Sequence, residues 1–145
     1  PIWLAGASDA ALERAARVGD GWVPMFMAPT DYRSALDRLL DAALAAGRDP
    51  EAIDTAVVVV VCTGDNEEVA RKEGASWLSD LYSLPPRAFE RHLIAGPPED
   101  CAAALAGYHE AGARHVVVMV AAEETLEHFG PLAEAASLDP LGAAP

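Results

Sequence analysis

The residues best placed to do chemistry are Gly6, Ala7 and Ser8. They follow an apolar run, Pro1-Ile2-Trp3-Leu4-Ala5, that reads as a buried strand. They precede a helix for which Ser8 is a fitting N-cap and Asp9 a fitting first-turn acid. A tight strand-to-helix turn aims unpaired backbone N–H groups, the positive end of the helix dipole and a hydroxyl at one spot, which suits a phosphate. Gly6 has no Cβ, so a ligand can come close to the backbone there. Gly and Ser are also common in ordinary βα turns, and the local sequence fits a phosphate cradle and a plain capped turn alike.

The continuation adds weight to the first reading. A helix through Leu12, Ala15, Ala16 and Val18 leads to Gly19-Asp20-Gly21-Trp22-Val23-Pro24, a turn feeding a second strand. Further on stand Ala46-Gly47-Arg48-Asp49-Pro50, Gly96-Pro97-Pro98-Glu99-Asp100 and Ala111-Gly112-Ala113-Arg114-His115-Val116-Val117. In that order, from residue 1 to about 135, these motifs resemble the luciferase-like monooxygenase family of flavin- and deazaflavin-dependent oxidoreductases. Each motif is weak alone, and the five in sequence are specific. One departure is Ala5-Gly6, where the family often has two glycines; the Ala narrows the backbone angles open to the turn.

The resemblance implies a (β/α)8 barrel of TIM type and hydride transfer through a reduced flavin or deazaflavin, with the protein supplying binding and orientation. It implies FMN or coenzyme F420 as cofactor, its phosphate against Gly6, Ala7 and Ser8, and a small-molecule substrate. Proton donors of the family tend to come from the first half of the barrel, so no catalytic residue is assigned and this chain alone is expected not to turn over. A rival reading from another class is a non-catalytic flavin-binding or dimerising module.

Composition bounds these readings. The chain has 145 residues, enough for one core, and a hydrophobic fraction of 52%, which suits strands covered on both sides. Its formal net charge of −13 argues against nucleic acid or an anionic membrane as partner. No apolar run approaches the roughly 20 residues of a membrane span, and the first residues carry no signal-peptide pattern. Cys62 and Cys101 fit neither a disulfide scaffold nor a metal site, so reduced thiols in a cytoplasm are expected. The histidines at 92, 109, 115 and 128 have no metal-pair spacing, and no metal site is expected.

Four strands are expected, over Ile2–Ala5, Trp22–Met25, Thr55–Cys62 and His115–Ala121, the last two being continuous β-branched runs of the kind buried on both faces in parallel sheets. Helices are expected between them. Thr30 is a fitting N-cap for the helix carrying Tyr32, Leu36, Leu39, Leu40 and Leu44, which Gly47 stops. Asp65 with Glu68 resembles a capping box, and Pro98 opens the helix of Cys101, Leu105 and Tyr108. A last helix over about 124–136 should break or kink at Gly130-Pro131. The alternation argues for parallel βα units wound in one hand. Together with the resemblance and a start directly in a strand, it predicts α/β architecture, the C-terminal half of a barrel. Residues 1–145 are then a single partial domain with a frayed tail over 139–145. An intact small open-sheet domain of flavodoxin type is the alternative. Open parallel edges predict a homo-oligomer.

Barrel logic places active sites at the C-terminal ends of strands. The groups there are Gly6-Ala7-Ser8, the apolar Met25-Phe26-Met27, Cys62-Thr63-Gly64 and Ala121-Ala122-Glu123. Cys62 has no base near it in sequence and reads as a buried thiol. His115 starts its strand and falls at the opposite, stability end. Trp3 and Trp22 read as core. Pro85-Pro86 splits the long segment around Trp77, Leu81, Phe89 and Leu93 into two helical pieces.

Overall fold

The computed structural model describes residues 1–137; the tail expected to fray, 139–145, lies outside the described residues. Strand and helix alternate. The order is β1 (Trp3–Leu4), α1 (Asp9–Val18), β2 (Gly21–Trp22), α2 (Pro29–Ala45), β3 (Asp54–Thr63), α3 (Glu67–Tyr82), β4 (Leu93–Gly96), α4 (Pro98–Glu110), β5 (His115–Val120) and α5 (Thr125–Ala135). Short 3-10 turns cover Pro50–Ala52, Pro86–Ala88 and Glu90–His92. The strands run β1-β2-β3-β4 in hydrogen-bonded order, with β5 also paired to β3, and the pairs β1–β2, β2–β3 and β3–β4 are parallel. The chain therefore has the parallel α/β architecture expected of it. Two compact units divide it, one of 1–58 with 107–117 and the other of 59–106 with 118 onward.

In the first unit, Trp3 lies opposite Gly21 and Leu4 opposite Trp22, while Gly21 and Trp22 face Asp54 and Thr55. Met25 extends this pairing by a parallel bridge to Val58. On β5's side the Arg114 N–H donates to the Thr55 carbonyl at 2.9 Å. Helices α1 and α2 bury small faces, Ala11, Ala15 and Ala16 on one and Ala35 and Ala43 on the other, with Leu12, Leu36 and Leu39 between. Alanine stripes suit close helix approach because little side chain separates the backbones. Beneath them Trp22 is fully buried and stacks on Tyr32 at 5.0 Å, and Tyr32 meets the edge of Tyr108 at 6.5 Å. Arg48 closes the end of α1 by donating to the Ala16 and Gly19 carbonyls at 2.9 and 2.8 Å, a cation at the negative end of the helix dipole.

In the second unit β4 pairs with the latter half of β3, Val60 opposite Leu93 through Thr63 opposite Gly96. Helix α3 lies against this pair through Ala70, Gly74, Ala75 and Leu78. Arg71 ties the approach to β4 by donating to the Glu90 and Leu93 carbonyls at 2.8 and 2.7 Å. The Ala121 N–H donates to the Val61 carbonyl at 2.8 Å, so β5 also holds β3 here.

Several expectations are corrected. Leu93–Gly96 is a fifth strand, placed where a helical segment was expected to run on. Four residues carry too little periodicity to announce it. Helix α2 is capped at Ala28 with Pro29 in its first turn, so Thr30 lies inside the helix; Pro at that position is already set for helical φ. Helix α3 is capped by Asn66, whose Oδ1 accepts the Val69 N–H at 3.1 Å, one residue after Asp65. Helix α5 runs through Pro131 unbroken, its next turn held by the buried Leu132 and Ala133. Trp22 is core as expected, whereas Trp3 is 36% exposed. Strand β3 is buried almost throughout, but β5 shows His115 and Val117 to solvent. Trp3, Val23, Ala56, His115 and Val117 together line one open, mostly apolar depression on the sheet of the first unit.

Gly74 reports on how tightly α3 sits. A Cβ there would lie 2.8 Å from Cys62 Cβ and 2.8 Å from Leu93 Cδ2. The leucine tip can swing, while the cysteine Cβ is fixed to the strand. Overpacking of about 1–3 kcal/mol outweighs the helix-propensity gain of about 1 kcal/mol from replacing glycine. Gly74→Ala is expected to lower the urea midpoint of unfolding; an unchanged or raised midpoint would show that the helix can lift away freely.

Candidate functional site

The Gly6-Ala7-Ser8 turn is built by what holds its carbonyls. Gly6 adopts φ +101°, a conformation that disfavours side chains, and a Cβ there would come 3.0 Å from the Ala11 Cβ. Its carbonyl accepts the indole N–H of buried Trp22 at 2.8 Å. The next carbonyl, of Ala7, accepts from Arg38 Nη2 at 3.4 Å, while Arg38 Nη1 pairs with the Asp9 carboxylate. In a trans peptide the N–H points opposite to the C=O, and no cis peptide is present among the described residues. Anchoring these two carbonyls therefore turns the N–H groups of Ala7 and Ser8 the other way. Ser8 caps α1 with Oγ accepting the Ala11 N–H at 3.3 Å, which leaves the hydroxyl hydrogen available to donate. The first N–H groups of α1 have no intrahelical acceptor, as at any helix start. Gly6 and Ser8 are exposed and Ala7 half-buried, so these donors meet solvent.

Of the sequence-expected trio, Ala7 and Ser8 thus have N–H groups directed by anchored carbonyls, and Gly6 supplies the backbone angle. Two residues that shape it were not legible in the sequence. Trp22 had read as core and as part of the Asp20-Gly21-Trp22 motif, with nothing to show that its indole reaches back to the turn after β1, the strand that β2 pairs with. Arg38 lies in the middle of a helix among other charged residues, and nothing in its local sequence marks it.

The apolar segment Met25-Phe26-Met27, also of the first unit, is fixed as well. Phe26 takes φ +56°, the left-handed region that costs a side-chain-bearing residue about 1–2 kcal/mol. The Met27 carbonyl accepts the Tyr108 hydroxyl at 2.6 Å. All three residues are half-buried. A strained bulky residue at the C-terminal end of a strand fits a wall held in place for something to lie against.

In the second unit the end of β3 carries Cys62 and Thr63. Both thiols are buried and inert in character: burial, then nearby Glu73, pushes the Cys62 thiol up, and burial followed by Asp100 pushes Cys101 up to about 11. The Cys101 Sγ lies 3.5 Å from the Gly96 carbonyl. Neither is an activated nucleophile. Thr63 faces His128 of α5: Nδ1 lies 3.0 Å from the Thr63 carbonyl and 3.1 Å from its hydroxyl. Donation from Nδ1–H to that carbonyl leaves Nε2 as the acceptor tautomer. Sixty-five positions separate these partners, so no sequence spacing pointed to them.

His115, back in the first unit, opens β5, exposed, with Nε2 3.7 Å from Asp54 and its ring 6.0 Å from that of Trp3. Its place is the start of β5, the end opposite to the one where active sites of such strands lie. Among the described residues no cluster of His, Cys, Asp or Glu could hold a metal ion, and no helix is long and apolar enough to cross a membrane.

Comparison with known proteins bears on the whole. The family model for luciferase-like monooxygenase matches residues 1–115. The phthiodiolone/phenolphthiodiolone dimycocerosates ketoreductase of Mycobacterium tuberculosis strain H37Rv is 33% identical over 99 residues, 66% of this chain and 26% of that protein. Among solved structures, an F420-dependent secondary alcohol dehydrogenase in complex with an F420-acetone adduct aligns with TM-score 0.73 at 16% identity, over 94% of this chain and 48% of that one. Riboflavin lyase with modified FMN and riboflavin aligns with TM-score 0.66 at 12% identity, over 99% and 44%. The parallel α/β fold of this chain matches part of the fold of these TIM-type enzymes. The chain spans about a quarter of the curated relative's length and about half of the aligned structures.

The thiols give a pH test. The folded-state value of Cys101, about 11, lies above the ordinary 9.0. An acid whose folded value is raised binds its proton more tightly when folded, so its contribution is complete below pH 9 and is lost as pH rises toward 11. Stability is expected to fall across that window, and Cys101→Ala to flatten part of the fall. Urea midpoints measured between pH 8 and 11 check this; an equal slope in the variant would show that Cys101 is not what titrates.

Proposed function

The chain belongs to the luciferase-like monooxygenase family, and from that premise we propose that it carries the cofactor-phosphate site of a flavin- or F420-dependent oxidoreductase. The observation that carries this reading is the pair of anchored carbonyls, Gly6 to Trp22 and Ala7 to Arg38, which turn the consecutive N–H groups of Ala7 and Ser8 away from these anchors, beside a serine hydroxyl whose hydrogen is left to donate. Backbone donors at a helix start bind a dianion well even in a protein of net charge −13, because the local field outweighs distant, screened charges.

FMN and F420 both carry a phosphate that such a turn can take, and the aligned structures include one with F420 and one with FMN. When bound, either supplies hydride transfer. This chain's part is to bind and orient: Ala7 and Ser8 hold the phosphate, and Met25, Phe26 and Met27 offer an apolar wall. The ketoreductase relatives, at 33% identity, support reduction of a carbonyl in a small-molecule substrate within this class. In this reading residues 1–145 form one partial domain, the C-terminal half of a barrel, in a cytoplasmic enzyme whose buried thiols stay reduced. The open face with Trp3 and with Val117, 48% exposed, supports a homo-oligomer.

A hydrogen bond to a charged group contributes about 1.5–3 kcal/mol. Ser8→Ala is therefore expected to weaken FMN or F420 binding by roughly ten- to a hundredfold, and Ser8→Asp by more, since it sets a carboxylate against the phosphate. Titration followed by cofactor fluorescence decides it, and wild-type affinity in Ser8→Asp would place the phosphate elsewhere. Sedimentation at micromolar concentration tests assembly separately. Self-association is expected; a clean monomer would remove the homo-oligomer from the reading.

A further inference from the structure

We infer that Arg38 is a positioning residue of the phosphate turn, holding the Ala7–Ser8 peptide with the Ser8 N–H turned away from the guanidinium and neutralising Asp9 beside the bound anion. The inference rests on the phosphate reading of Gly6-Ala7-Ser8. Arg38 stands 29 and 31 positions from the groups it reaches and joins two of them in one turn, the Asp9 carboxylate and the Ala7 carbonyl. The ordinary surface pair nearby, Arg33 with Asp37, spans one turn of its own helix and touches nothing else that is functional.

Asp9 makes the role necessary. A carboxylate in the first turn of α1 interacts favourably with the helix dipole and occupies the field that a phosphate would use. Left alone it would repel the anion. Paired with a guanidinium, the local charge is close to zero and the outward N–H groups set the potential. Arg38 has the geometry for both tasks, because its planar fork presents separate N–H groups to two acceptors, which a lysine ammonium does less well. Both partners are largely exposed, with side chains at 52% and 80%, so the pair contributes little to folding and its removal leaves the chain intact.

The test compares ligands that differ by the phosphate: FMN against riboflavin, and F420 against its phosphate-free deazaflavin core. Arg38→Met is expected to lower affinity for the phosphorylated member about five- to twentyfold while leaving the phosphate-free member unchanged, the loss of one charge-assisted, positioning contact. Arg38→Lys should restore part of the preference, because it keeps the charge and one contact. Asp9→Asn should raise the affinity for the phosphorylated ligand about two- to fivefold, by removing the competing anion. A purely structural role would weaken both ligands together and would not respond to Asp9→Asn. If Ser8→Asp abolishes the preference while Arg38→Met and Asp9→Asn leave it untouched, the role of Arg38 is overturned and the phosphate site stands. If the wild type itself prefers neither phosphorylated ligand, the underlying site falls, and the role of Arg38 with it.

Discussion

Burial of β3 is the constraint on which the rest of the structure depends. Asp54–Thr63 is a ten-residue run of which eight are buried, and a buried backbone must have its N–H and C=O groups paired. That requirement recruits every other strand but β1 directly. Strand β2 and the Met25 bridge take the first half of β3, β4 takes the second, and Arg114 and Ala121, on either side of β5, donate to Thr55 and Val61. β1 joins through β2. Each strand that pairs in parallel with β3 must return by a crossover, which is why helices separate all of them. The position of the Gly6 turn follows at two removes from this one apolar run.

The turn shows how a short segment acquires direction. Gly6 supplies the backbone angle, but a flexible glycine alone would not hold its neighbouring N–H groups to one side. The indole of Trp22 does so from beneath, and it can because the ring is locked by stacking on Tyr32 within the core. Arg38 does so from the rim. One anchor is the N–H of a buried indole, and the other is a charged, exposed guanidinium. Pre-organisation of this kind places the orientation of the donors in the folding of the chain, so that a ligand need not order them on arrival.

Legibility in the sequence followed the range of the interactions. The β-branched runs at 55–62 and 115–121, the Gly-Ala-Ser turn and the motif order were all local, and they yielded the parallel α/β architecture and the family. Leu93–Gly96 was hidden because four residues hold no period, and its strand identity comes from Val60–Thr63 thirty-three positions away. The caps shifted by one or two residues: Pro29 starts α2 ahead of Thr30 and leaves Ala28 as a cap without a side-chain bond, and Asn66 takes the role that its neighbour Asp65 could have filled. Trp3 and Val117 had every mark of core residues, and the sheet leaves them open since composition cannot tell which face of a strand is covered. The two anchors of the site were unreadable for the same reason as β4. Trp22 and Arg38 act on carbonyls 16 and 31 positions away, and no local spacing marks either contact.

The first unit also has two chemically different ends. At the strand starts, donors and acceptors are closed on one another. Arg114 pairs with Glu51 and Asp54, the Thr55 hydroxyl donates to the Gly112 carbonyl at 3.0 Å, and Arg48 fills the last carbonyls of α1. At the strand ends, the side chains bind carbonyls and leave N–H groups open, as Trp22 and Arg38 do at Gly6 and Ala7, and as Tyr108 does at Met27. Satisfying carbonyls from the protein side turns their N–H partners away, so the direction of the peptides adds to the charge of Arg38 at that end. In a chain with ten Lys and Arg against twenty-three Asp and Glu, peptide direction is a source of positive field that needs no further basic residue.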